Sequence, residues 1–160
     1  MKYGDIILIR QNFIQNPIFW LLQILSGSRY AHSAIYYHDN KIIEITRKGL
    51  EINDISKYNN SKMLILRYNN LDADRLRNTL LFFNGTPIKY DYSAVLYLAY
   101  TLWFNKDRTK ANKFDVFRKF YCHQFIGYLY KDYGIFKNHW TNLIDSDFIN
   151  NEFLEKINLL

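Results

Sequence analysis

Cysteine is almost missing from this chain, Cys122 being the only one. A single thiol excludes an intramolecular disulfide and a multi-cysteine zinc site, and nothing else argues for an oxidising compartment. Long hydrophobic runs are also missing. The longest, from Ala94 to Phe104, has about half the length a membrane span needs and reads as a buried helix. There is no glycine-rich phosphate loop, because Gly49 and Gly85 are isolated and read as turn residues. Internal repeats, Gly/Ser linkers and low-complexity tracts are absent, so nothing marks a domain boundary. With 160 residues and 49% hydrophobic content, one core and a single domain over 1–160 are expected. Met1-Lys2-Tyr3-Gly4-Asp5 lacks the basic and apolar blocks of a secretory signal, which favours a reduced, cytoplasmic setting. His38, His123 and His139 fall in a turn, on a helix flank and in the tail, without metal-ligand spacing. No metal and no cofactor are expected.

What is there begins with charge. A net charge of +6 and a pI near 9.3 favour an anionic partner: nucleic acid, lipid headgroups or cell-wall polymer. The basic residues concentrate in a polar break. Lys106, Arg108, Lys110, Lys113, Arg118 and Lys119 stand there against Asp107 and Asp115, so segment 106–119 is the place for an anionic surface to meet the protein. No nucleic-acid-binding motif accompanies it, and specific nucleic-acid binding is not expected.

Along the chain, Gly4 to Arg10 is a near-continuous apolar run that reads as a strand covered on both faces. Asn16-Pro17 opens a short, very apolar helix that Ser26-Gly27-Ser28 stops. Residues 31–37 and 41–46 read as a β-hairpin, 50–53 as a short extra strand, 56–61 as loop and 62–68 as a strand. Asp72 caps a helix from about Ala73 to Asn84, and Tyr90-Asp91-Tyr92 opens the apolar helix. The tail from Asn138 carries enough large apolar residues to dock on the body. The sum is an α+β domain whose mostly antiparallel sheet has about five strands, packed with helices.

Chemistry points to Cys122. From it, apolar positions recur at 122, 125, 126, 129, 130 and 133, the period of a helix with one buried face, and Gly134 supplies a stop. A thiol in the first turn sits beside unpaired amides and the positive end of the helix dipole, which favour thiolate. The plainer alternative is that Cys122 is the first core residue of that stripe. A nucleophile needs a base and a group to orient the base. His32 begins a strand, and Glu44 lies among Ile42, Ile43 and Ile45, where an inward carboxylate is costly unless paired. The alternative is a solvent-facing Glu44 and a turn-end His32.

The order of these segments carries a resemblance. A Gly-Asp-led apolar strand, a short apolar helix, Tyr-Ala-His-Ser-Ala-Ile-Tyr, Ile-Ile-Glu-Ile and Phe-Tyr-Cys-His-Gln-Phe-Ile follow one another. From Gly4 to about Tyr133 the chain resembles the circularly permuted branch of the NlpC-type papain-like cysteine hydrolases, especially the YiiX-like proteins. Lecithin retinol acyltransferase and a poxvirus protein are more distant relatives of that branch. The resemblance implies a permuted papain-like fold with Cys122 as nucleophile, His32 as base and Glu44 as the orienting residue. It also implies an acyl-thioester intermediate, and a peptide, cell-wall fragment or lipid as the amide- or ester-bearing substrate. The chain departs from the family pattern at His123, where a small hydroxyl residue usually follows the cysteine. The competing expectation is a binding or structural module that keeps the fold and uses the basic surface.

The triad makes a geometric demand. Side chains alternate along a strand, so His32 and Glu44 share a face only if residues paired across the hairpin sum to an even number. A tight Asp39-Asn40 turn pairing His38 with Lys41 would separate them. The expected register therefore pairs Tyr37 with Lys41 across a three-residue connection, His38 to Asn40, and places Ala34 opposite Glu44.

Overall fold

Four consecutive aliphatic residues, Ile6–Ile9, form β1, and none of them reaches solvent. This strand lies inside a six-stranded antiparallel sheet with β2 (His32–Tyr36), β3 (Lys41–Thr46), β4 (Gly49–Asp54), β5 (Met63–Arg67) and β8 (Glu155–Ile157). The order across the sheet is β4-β3-β2-β1-β5-β8. The computed structural model describes residues 1–10, 24–27, 29–83, 85–116 and 118–158. The helix expected from Asn16-Pro17 lies outside the described residues, apart from helical residues 24–26.

Alternation along β1 explains its unbroken hydrophobicity, since one set of side chains faces each side of the sheet. Ile6 and Leu8 join the main core with Ile35, Ile43, Ile45 and Leu66, while Ile7 and Ile9 join a smaller cluster with Ala34, Ile42, Ile55 and Tyr58. The main core is completed by α1 (Ala73–Phe82), α2 (Tyr92–Trp103), α3 (Cys122–Tyr130) and α4 (Asp145–Ile149). Asp72 caps α1 by accepting from the amides of Asp74 and Arg75, and Asp91 caps α2 by accepting from Ala94. Two parallel bridges, Lys89↔Lys119 and Tyr90↔Phe120, form β6 (Lys89–Tyr90) and β7 (Lys119–Phe120) and set the starts of α2 and α3 side by side.

Several sequence expectations need correction. The sheet has six strands rather than about five, because Glu155–Ile157 pairs with β5. Residues 56–61 are not simply loop: Ile55–Tyr58 is a 3-10 helix, started by the Asp54 side chain accepting from the Ser56 amide. Its Ile55 and Tyr58 close the smaller core cluster. The apolar α2 is only half buried, with Leu96, Tyr100 and Trp103 exposed. α3 is buried on nearly all sides, not along one stripe, because Trp140–Asn142 packs on its outer side while β2 and β3 meet its inner one.

Gly127 makes the outer contact possible. A Cβ there would stand 2.6 Å from Leu143 Cδ1 and 2.9 Å from the Trp140 carbonyl oxygen. Overpacking of this kind costs about 1–3 kcal/mol. Gly127→Ala should lower unfolding stability by that amount in urea titrations, and an unchanged midpoint would mean that α3 does not sit this close to the 140–143 turn.

Candidate active site

The hairpin between β2 and β3 brings His32 and Glu44 to one face. Ala34 pairs with Glu44, Ile35 with Ile43 and Tyr36 with Ile42, the even-sum register the triad demands. The connection is built differently from a plain three-residue loop. Asp39 and Asn40 both take positive φ, 47° and 60°, and the Lys41 amide donates to the His38 carbonyl at 2.7 Å, as in a tight two-residue turn. Yet the Tyr37 amide, not that of His38, donates to the Lys41 carbonyl at 2.9 Å. His38 is thus an extra residue, a bulge that restores the register.

Glu44 is completely buried and is surrounded by donors. Its Oε2 lies 2.5 Å from His32 Nε2 and accepts from Tyr58 Oη at 2.6 Å. Its Oε1 accepts from Asn53 Nδ2 at 2.7 Å and Lys57 Nζ at 2.6 Å. Burial alone would raise its pKa, but His32, Lys57 and Tyr58 outweigh burial and hold it at about 2. Burial likewise opposes the charged form of His32, while Cys122 and Glu44 stabilise it and lift it to about 9. With Nε2 committed to Glu44, the ring nitrogen left to His32 for the thiol is Nδ1.

Cys122 opens α3 and is buried. No side chain caps the α3 amides, and Gln124 reaches back so that its Oε1 accepts from the Tyr121 amide at 3.2 Å. The sulfur lies 3.4 Å from His123 Nδ1 and 3.7 Å from the carbonyl oxygen of Ala31, the residue before β2. Burial would raise the thiol pKa. His123 first and His32 second reverse this, and Cys122 falls well below an ordinary thiol. His123 is raised in turn: burial and the nearby His32 disfavour its charge, and the thiolate and Asp145 favour it more strongly.

All three sequence candidates therefore meet. His123 does not sit on an idle helix flank; its Nδ1 lies against the sulfur. Lys57, Tyr58 and Asn53 escaped sequence reading, although the alternation of β4 puts Asn53 on the Glu44 face. Asp145 was also missed: its Oδ2 accepts from the amides of Arg29 and Tyr30 at 3.0 and 3.1 Å, tying down the approach to His32. Arg108 leaves the basic surface, since its guanidinium pairs with Asp147 at 2.6 and 3.2 Å. Among the described residues no His, Cys, Asp and Glu cluster could hold a metal ion. No described helix is long and apolar enough to cross a membrane. A surface cleft of about 700 Å³ lined by Arg108, Phe136, Asp147 and Phe153 includes none of the three candidates.

Comparison with known proteins finds no family model that matches the chain and no curated protein that matches it.

Two pH effects follow. Alkylation of Cys122 should show a midpoint well below the ordinary thiol value of about 8.5, and His123→Ser should move it upward. A wild-type midpoint at or above that value would show the thiol to be unactivated. For stability, the raised His32 contributes fully below its ordinary 6.5 and loses its contribution as pH rises through about 9. The lowered Glu44 contributes fully above 4.5 and loses its contribution as pH falls through about 2. Thermal unfolding of wild type should therefore lose stability from neutral pH towards pH 9 more steeply than Glu44→Gln, and parallel curves would remove this pair from the balance.

Proposed function

We propose that this protein is a cysteine hydrolase of the circularly permuted papain-like kind, acting on an amide, ester or thioester through Cys122, His32 and Glu44. The observation that carries the proposal is the buried Glu44–His32 pair meeting a thiol at an uncapped helix start. The thiolate attacks the carbonyl carbon and the carbonyl π electrons move to oxygen, where the backbone N–H of Cys122 receives the negative charge. Collapse breaks the bond to the leaving group, which takes the proton from His32. Water then attacks the acyl-thioester, His32 accepts its proton, and the acid is released as the thiolate leaves. Glu44 keeps the ring oriented throughout and stabilises the imidazolium whenever His32 holds the proton. The substrate class is a peptide, a cell-wall fragment or a lipid, and an acceptor other than water would make the same chemistry a transfer.

His123 adds a second cation beside the sulfur. Its proximity stabilises the resting thiolate, which fits a site that holds its nucleophile ionised before substrate arrives. A retained fold used only for binding is the competing reading, and the 3% exposure of Cys122 favours it.

Mass spectrometry after incubation with cell-wall fragments or acyl lipids separates the two. An acyl adduct on Cys122, absent in Cys122→Ala, is expected. Turnover should fall by about 10²–10⁴ in His32→Ala, and less in Glu44→Gln, where an amide still orients the ring. Absence of any adduct with every substrate class, together with slow alkylation of the folded protein, would favour the binding module.

A further inference from the structure

The exposed apolar surface is concentrated in one region. Of thirteen large hydrophobic side chains exposed to solvent among the described residues, seven fall between Tyr92 and Val116, so this is a patch and not ordinary scatter. Tyr92, Leu96, Tyr100, Trp103 and Phe104 recur at helical spacing along the outer face of α2, with Trp103 64% and Leu96 55% exposed. Ring contacts join them into one surface. Tyr100 stacks near Phe104 at 4.8 Å and Tyr97 at 6.1 Å, and Tyr97 meets Phe114 of the following segment at 5.6 Å. No residue of α2 is charged.

The chain beyond the helix supplies the charge. Lys106, Lys110 and Lys113 are exposed immediately after the stripe, opposed only by Asp107 and Asp115, and Lys110 meets Asp107 at no closer than 3.9 Å. Phe114 anchors this basic segment to the aromatic face, so apolar and cationic groups lie side by side.

We propose that the outer face of α2 and the lysines of segment 106–113 form a docking surface for an anionic lipid bilayer. The chemistry of the patch favours a bilayer over a protein partner. Tyr and Trp place an apolar body and a polar tip at a lipid–water boundary, and the lysines meet anionic headgroups while their stems lie along the apolar surface. The face is the convex outside of a helix, which suits a deformable planar partner. The parallel β6–β7 pairing sets Tyr92, the first residue of the stripe, beside the start of α3 that carries Cys122. A docked bilayer would therefore lie near the start of α3. The docking stands whether or not the thiol is catalytic.

The test is sedimentation of the full chain with phosphatidylcholine vesicles, with and without phosphatidylserine. Wild type should sediment with the serine-containing vesicles and weakly with the neutral ones. Tyr100→Ser combined with Trp103→Ser should reduce affinity at least tenfold, and each of Lys106→Ser and Lys113→Ser by roughly fivefold at low salt. Trp103→Phe should retain binding yet lose most of the blue shift in tryptophan emission. These positions are exposed, so circular dichroism and the Cys122 alkylation rate should stay at wild-type values, separating loss of docking from damage to the site. Equal binding by the Tyr100/Trp103 variant or by neutral vesicles would overturn the proposal. So would a wild-type dimer that the same variant converts to monomer without any lipid binding.

Discussion

The arrangement depends on a carboxylate that has been taken out of water. Burying Glu44 as an anion is costly, and a folded chain tolerates it only when enough donors surround it. Four groups do so: a histidine from the neighbouring strand, an asparagine from the strand on the other side, and a lysine and a tyrosine from the short 3-10 helix beneath. Each element that contributes a donor is thereby held in place relative to the others. The edge strand β4 and the turn after it look peripheral in the topology, yet they carry three of the four donors around the central acid, its lysine cation included.

From that shell the electrostatics propagate outward in one direction. Glu44 holds His32 charged, and His32 with His123 holds Cys122 ionised. Asp145 supports the far side twice over, through its field on His123 and its two bonds to the backbone leading into His32. The alternation of acid, base and thiol lets three buried titratable groups coexist in a space where any one alone would be driven neutral.

How legible this was in the sequence varied with the range of the interaction. The hairpin register was readable because alternation leaves only a parity choice, and only one parity puts His32 and Glu44 on a shared face. The helix start at Cys122 was readable because capping and periodicity are local. Lys57 and Tyr58 were not, since residues 56–61 have a polar, loop-like composition and their role comes from packing against a distant strand. β8 was missed for a similar reason: Glu155-Lys156-Ile157 has little strand character of its own and gains it from the free edge of β5. The outward face of α2 reads as buried because its composition is apolar all round. Hydrophobicity reports that a face wants a partner without saying whether the partner belongs to the same chain.

The bulged His38 imposes a rule on how this hairpin can vary. Since parity decides which side of the sheet each residue faces, adding or deleting one residue between Tyr37 and Lys41 would move either the acid or the base through the sheet. Lengthening by two residues leaves both where they are. Loop tips are ordinarily the most permissive places for insertion, but here tolerance would come in steps of two. The turn thus works as a counting device for side chains that it does not itself touch.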